Sequence, residues 1–214
     1  MAPRLTVVDH PLVQEQLALV RDRRTGQVAF RKAVHRLGRL MAYEFLRGAE
    51  TEEVVVQTPL GKARGRRVKG ADRVVIVLVL RAAIPFVEGI YKSIPLARTG
   101  VVSAWRGEAP DFSIEVRYSK VPRIGREETV IFADPMLATG HTLVEVARRT
   151  LKGRKPRRLA FFSVISTMRG IERVAEEFPS GEFYTCAVDP GLDSRGYIVP
   201  GLGDAGDRSF GAPQ

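Results

Sequence analysis

Thr129 to Arg149 reads TVIFADPMLATGHTLVEVARR, and the change of character inside it decides the fold. Thr129 to Ala133 are β-branched or apolar. Then come Asp134, a turn through Pro135, Met136, Leu137 and Ala138, and the polar group Thr139, Gly140, His141 and Thr142. From Thr142 to Leu151 the apolar residues recur at spacings of three and four, the period of an amphipathic helix. Strand, loop and helix in immediate succession describe part of a βαβ unit. In an open α/β sheet, ligands bind beyond the carboxyl ends of the strands. There the first turn of the next helix offers N–H groups without helical acceptors. Gly140 permits close backbone approach and the threonine hydroxyls add donors, so the segment suits a phosphate. Asp134 would be repelled by that phosphate, but it can accept hydrogen bonds from sugar hydroxyls. The combination describes a phosphorylated sugar. On spacing alone, a strand-to-helix turn with threonine caps fits equally well.

Outward from this stretch the same alternation continues. RVVIVLVL, ending at Leu80, is too continuously apolar for a half-exposed strand and predicts one buried on both faces of a parallel sheet. RAAIPFVEGIYKSIP after it is helical, GVVSAWR and FSIEVRYSKVP are strand-like, and RRLAFFSVIS leads into the helical RGIERVAEEFP. Such alternation predicts an α/β fold with a mostly parallel sheet flanked by helices. The first third, to about Gly48 as a C-cap, reads as covering helices. EEVVVQTPLG reads as a short strand and GRRVKGADR as a polar connection. The end, from DPGLDSRG onward, crowds glycine, aspartate and proline as a binding loop or lid would. We divide one domain, 1–214, into N-terminal helices and arm (1–60), α/β core (61–185) and a C-terminal loop and hood (186–214).

A chain of 214 residues with 44% hydrophobic and 27% charged content can bury a core. No apolar run approaches the ~18 residues needed to span a bilayer, and the start lacks the build of a signal peptide, so the expectation is a cytoplasmic protein without a membrane partner. Cys186, the single cysteine, excludes an internal disulfide and reads as a core thiol. The net charge of +10 comes mainly from arginine. Guanidinium forks match phosphate and carboxylate oxygens, so the bias suits an anionic ligand, nucleic acid or phosphorylated metabolite; codon usage and heat adaptation produce the same bias. KGRKPRR, Lys152 to Arg158, reads as a solvated helix end, and His10 and His35 lack metal-ligand spacing. No Walker loop and no G-x-G-x-x-G after a strand occurs.

ADPMLATG resembles the phosphoribosyl-pyrophosphate (PRPP) loop of type I phosphoribosyltransferases, in the variant of the uracil phosphoribosyltransferase family. Most of the superfamily places two acids in succession here. This chain, like the uracil enzymes, has Pro135 after Asp134. His141 is less typical of the loop. The resemblance runs through VRDRRTGQVAFRKAVHRLGRLMAYE, VQTPLG and LRAAIPFVEG, and is most specific in GYIVPGLGDAGDRSFG at the carboxyl end. It implies the type I phosphoribosyltransferase fold with a C-terminal base-binding hood. It also implies the transfer of 5-phosphoribose from PRPP to N1 of uracil, giving UMP and diphosphate, with Mg²⁺ carried in on PRPP and no metal bound directly by protein.

Carried onto this sequence, the resemblance makes Arg81, Arg106, Asp134 and Asp204 catalytic. PRPP would meet these four together with Pro135, Met136, Leu137, Ala138, Thr139, Gly140, His141 and Thr142. Uracil would meet Ile198, Gly203, Asp204 and Ala205, mainly through the main chain. The diphosphate loop of this superfamily can hold a non-proline cis peptide, for which Arg81–Ala82 is the candidate. Lys120 is a weaker cation for the diphosphate, and Trp105 packs against the lid. Gly107 stands where relatives have an acid, and APDFSIEV is the chain's own. Lys32, Ala33, Val34, His35 and Arg36 are candidates for an allosteric nucleotide, since some members are activated by GTP; a UTP or CTP inhibitor and a homo-oligomer, dimer or tetramer, are also implied. Two rivals stand beside this reading: a transferase for another base, and a regulator of pyrimidine genes that keeps the fold but binds nucleic acid.

Overall fold

Each long apolar run has become a central strand. The computed structural model describes residues 2–106 and 114–212, apart from the side chain of Arg106. The chain begins with β1 (Arg4–Val7), α1 (Pro11–Arg21) and α2 (Gln27–Leu46), then a hairpin of β2 (Thr51–Thr58) and β3 (Gly61–Val68). The core follows as β4 (Val74–Leu80), α3 (Ala83–Tyr91), β5 (Arg98–Arg106), β6 (Ile114–Lys120), β7 (Thr129–Ala133), β8 (Met136–Leu137), α4 (His141–Thr150), β9 (Arg158–Thr167), α5 (Met168–Glu177) and β10 (Glu182–Asp189). A small ribbon, β11 (Gly191–Leu192) with β12 (Ile198–Val199), and α6 (Ala205–Phe210) close the chain.

The main sheet runs β1-β10-β9-β7-β4-β5-β6, with β8 adding a further pairing to β9. All its pairings are parallel except β5 with β6. β4 lacks polar residues because it lacks an exposed face. Val74, Ile76 and Leu78 enter the layer beneath α1, α2 and α3, while Val75, Val77 and Val79 enter the layer beneath α4 and α5, as the two-residue period of a strand requires. The chain leaves β4 toward β5 on one side and returns to β7 on the other. That reversal makes the carboxyl ends of β4 and β7 the topological switch point. Leu78 lies opposite Ala133 in their register, so Arg81 and Asp134 follow adjacent strand ends.

Several expectations need correction. GRRVKGADR is not simply a connection, because Gly61–Val68 pairs along its length with β2. Lys62, Arg64 and Arg66 alternate with glycine or alanine, and no apolar periodicity marks the strand. β1 precedes the covering helices and adds an edge to the sheet. α2 ends at Leu46 with Arg47 as its cap, one residue before the expected cap at Gly48. The tail contains a short helix, α6, where only a loop was expected. Cys186 is a core thiol as expected, its pKa pushed up to about 12 by burial. No helix among the described residues is long and apolar enough to cross a membrane.

Candidate active site

Asp134 leaves β7 with its backbone still tied to the sheet, its N–H donating to the Phe162 carbonyl at 3.1 Å. Its side chain turns back to accept the Met136 N–H at 3.1 Å, which fixes the carboxylate at the strand end. Pro135 is buried, and its carbonyl accepts the N–H groups of Val164 at 2.9 Å and Ile165 at 3.0 Å. Met136 and Leu137 then pair with β9, so half of the loop is held as sheet. The Asp134 pKa is raised to about 6, chiefly by burial; the Met136 N–H opposes the rise and the nearby Asp204 carboxylate adds to it.

Gly140 caps α4 with a left-handed φ of 80°, a conformation that glycine adopts at little cost. Its bare face does not look toward the strand ends. A Cβ there would stand 2.7 Å from the Gly170 carbonyl, and one on Gly170 would stand 2.5 Å from the Ala138 carbonyl. Two glycines therefore let α5 press against the back of the loop. Thr167 completes the brace by donating from Oγ1 to the Ala138 carbonyl at 2.6 Å while accepting the Gly170 N–H at 3.0 Å. The first bond of α4 is Val144 N–H to the Gly140 carbonyl, and helix geometry leaves the N–H groups of the preceding turn outside the ladder. His141 is exposed at that turn, and Thr142 lines the adjoining cavity.

The cis peptide bond is Leu80–Arg81, one residue before the expected Arg81–Ala82. Arg81 extends from it to donate to Asp207 Oδ1 at 2.9 Å. Asp207 belongs to α6, whose cap is Asp204, accepting the Asp207 N–H at 2.8 Å. The turn before α6 contains a cis Val199–Pro200 bond and Gly201 at φ 58°, where a Cβ would stand 2.1 Å from the Ile198 carbonyl. Two arginines fasten this hood to the N-terminal helices. Arg21 grips the buried Asp189 through both carboxylate oxygens, at 2.9 and 2.7 Å, and donates to the Gly201 carbonyl at 2.9 Å; Asp189 also accepts the Gly201 N–H at 2.7 Å. Arg208 donates to the carbonyls of Val20, Leu202 and Asp22 and lies 4.3 Å over the Phe30 ring.

Two adjoining cavities result. One, of about 270 Å³, is bounded by Arg81, Ala82, Asp134, Thr142, Asp204 and Asp207. The other, of about 220 Å³, is bounded by Asp134, Met136, Tyr197, Ile198, Gly203 and Ala205 among others. Ala82, Asp134, Asp204 and Gly206 line both. A larger hollow of about 550 Å³ carries Glu50, Lys69, Arg157, Arg158 and Glu182. Those groups already pair among themselves as Lys69–Glu50, Arg157–Glu50 and Arg158–Glu182.

The structure thus brings together Arg81, Asp134, Thr142, Asp204, Ile198, Gly203 and Ala205. The side chain of Arg106, with Gly107 and most of APDFSIEV, lies outside the described residues. Ile198 and Ala205 are each 4% exposed, which leaves mainly their main-chain groups for a ligand. Trp105 at the end of β5 is 59% exposed, with the Arg117 guanidinium 5.1 Å over its ring. On α2, Ala33 and Val34 are core residues, whereas Lys32 and Arg36 are exposed. Residue-by-residue reading missed Asp207, Gly170, Thr167 and the Arg21–Asp189 pair. Arg21 in VRDRRTGQ, Gly170 in RGIERVAEEFP, Asp189 in DPGLDSRG and Asp207 in GDAGDR all lay inside recognised stretches, but nothing in those letters set them apart, and Thr167 lay between two such stretches.

A family model described as uracil phosphoribosyltransferase matches residues 7–212. The uracil phosphoribosyltransferase of Pyrobaculum arsenaticum is 50% identical over 205 residues, covering 95% of this chain and 97% of its own. That of Thermococcus gammatolerans is 49% identical over 205 residues, covering 96% and 92%. The solved structure of the AQ2163 protein from Aquifex aeolicus matches with a TM-score of 0.89 and 33% identity, over 97% of this chain and 98% of that one. An adenine phosphoribosyl transferase from Trypanosoma brucei, at TM-score 0.55 and 9% identity, is alike in fold alone.

Proposed function

The chain belongs to the uracil phosphoribosyltransferase family, and from that premise we propose that its paired cavities hold PRPP and uracil for a pentosyl transfer yielding UMP and diphosphate. The observation that carries the reading is the shared wall: Asp134 and Asp204 border both cavities, so one sugar would lie between a phosphate-facing turn and a base-facing hood. The 5-phosphate would take the amides and hydroxyls from Thr139 to Thr142. Asp134 would accept the ribose hydroxyls, and its elevated pKa fits a carboxylate awaiting donors.

In the transfer, the ribose C1′–O bond to the diphosphate breaks and N1 of uracil forms the new bond to C1′ from the opposite face. The departing diphosphate carries off the bonding pair, and uracil N1 gives up its proton to water. Arg81, Arg106 and the loop amides would stabilise the charge that gathers on the diphosphate. The hood would orient uracil through the main chain of Ile198, Gly203 and Ala205, with Asp204 at the boundary. Positioning and electrostatics supply the catalysis, and no protein base is assigned.

Among the described residues, no group of three His, Cys, Asp or Glu side chains could hold a metal. Asp134, whose charge the Asp204 carboxylate disfavours, and Asp204 would suit a Mg²⁺ carried in on PRPP, which would supply positive charge to the diphosphate. Cytoplasmic residence belongs to the same proposal, because PRPP is too highly charged to cross a bilayer. So does a homo-oligomer, supported by the β2–β3 hairpin, whose strands pair only with each other among the described residues. An activating nucleotide such as GTP would find Lys32 and Arg36 on α2, and a UTP or CTP inhibitor would compete for the cleft. Incubation with uracil, PRPP and Mg²⁺ tests the reading. UMP is the expected product, whereas diphosphate release with another base and none with uracil would overturn it.

A further inference from the structure

Arg81 and Asp207 belong to segments that serve opposite ends of the reaction. Arg81 follows β4 and, on the reading above, meets the diphosphate. Asp207 lies one turn into α6, whose first residues border the uracil cavity. Arg81 Nη2 nevertheless stands 2.9 Å from Asp207 Oδ1, the two side chains being 48% and 38% exposed. A Cβ on Gly206 would lie 4.0 Å from both Arg81 Nη2 and the Ala82 nitrogen, so α6 rests directly against the diphosphate loop. The cation assigned to the diphosphate is already engaged by a carboxylate of the hood.

We propose that Asp207 is a positioning residue that stores Arg81 against the hood until a diphosphate takes the guanidinium over, so that filling the diphosphate site releases α6 and signals occupancy to the uracil side. This rests on the proposed assignment of the cleft. A half-exposed pair is weak, and a diphosphate offers a guanidinium fork several charged oxygens in place of one carboxylate. The pair is therefore strong enough to set a resting position and weak enough to yield. Whatever breaking it costs is subtracted from PRPP affinity, and removing the Asp207 charge returns that amount.

Asp207→Asn retains the side-chain shape and the backbone N–H that meets Asp204. PRPP binding with Mg²⁺, measured by calorimetry, is expected to be about three- to tenfold tighter in this variant than in the unaltered protein. A missing negative charge would attract PRPP without any storage, so the same substitution is placed in an Arg81→Ala background. Storage predicts that the gain vanishes there, as a double-mutant cycle reads coupling between two residues. An equal gain in both backgrounds, or none in either, overturns the proposal while UMP synthesis upholds the assignment of the cleft. Failure of the unaltered protein to bind PRPP overturns both. Thermal melts confirm that each variant is folded.

Discussion

Asp134 is the residue at which the chemistry of the site and the stability of the fold meet. Its pKa of about 6 lies above the ordinary carboxylate range because burial disfavours the anion and the Asp204 carboxylate adds repulsion. The folded state therefore binds this proton more tightly than the unfolded chain does. Ionising Asp134 costs nothing below pH ~4, costs progressively more between pH ~4 and ~6, and reaches a constant penalty above that, at most about 3 kcal/mol. Asp134→Asn should accordingly raise the melting temperature of the ligand-free protein at pH 7.5, with the gain shrinking toward pH 4, while UMP formation falls at least about 100-fold. A stability gain that ignores pH would show that this carboxylate is not the buried group described. Asp204 separates in the opposite way, since it both caps α6 and borders each cavity. Asp204→Ala should lose activity and about 1 kcal/mol of stability, the usual value of an N-cap. Asp204→Asn should keep the cap, and chemical denaturation read beside UMP synthesis separates the two roles. That Asp134 is covered while Asp204 stays exposed was not legible from the letters ADPMLATG or GLGDAG, because burial depends on what the rest of the chain packs above them.

At the scale of elements, the loop proposed to face the phosphate is shaped from behind by α5. Gly170→Ala would place a methyl group 2.5 Å from the Ala138 carbonyl and 2.9 Å from that of Leu137. The loop must shift, so KM for PRPP should rise about 10-fold with a smaller change in kcat, together with an overpacking cost of about 1–3 kcal/mol. Steady-state kinetics with saturating uracil measure the first and melting curves the second; unchanged KM would separate the loop from PRPP. The hood is fastened by Arg21, and Arg21→Ala would leave Asp189, 5% exposed, without its guanidinium. About 3 kcal/mol of stability should be lost, and uracil KM should rise more than PRPP KM because the turn at Gly201 loses an anchor. What was readable among the elements follows from their burial. β4, β7 and β9 announce themselves because both faces are covered and the apolar run is unbroken, whereas β3, mostly arginine, lysine and glycine, buries no face and shows no period. α6 is six residues long and is held by the Asp204 cap and the Arg208 contacts to α1 rather than by helix propensity. Gly140 was expected to clear room for a phosphate. Its bare face makes room for α5, a distinction that one sequence cannot carry because both uses ask for the same residue.

On the scale of the whole molecule, the cleft and the β2–β3 hairpin occupy opposite ends of the sheet. The cleft lies beyond the carboxyl end of β4, while the hairpin leads through Gly70 and Arg73 into its amino end. Among the described residues the hairpin strands pair only with each other, and such a ribbon is marginal in water on its own. Val55 is 68% and Val56 45% exposed, and Leu60 at the tip is fully so. Apolar surface displayed on a projecting ribbon marks a surface that another protein covers, and for a chain proposed to act as a homo-oligomer the simplest cover is a second copy. Thr51 lies opposite Val68 in the register, so a short glycine-serine linker can replace the intervening strands without displacing β4. Sedimentation should then show a monomer where the complete chain assembles. Because the linker lies far from Asp134 and Asp204, PRPP binding should survive wherever the monomer still melts cooperatively. If the shortened chain sediments as the complete one does, the hairpin is not the contact between copies, and the apolar groups at its tip await a different partner.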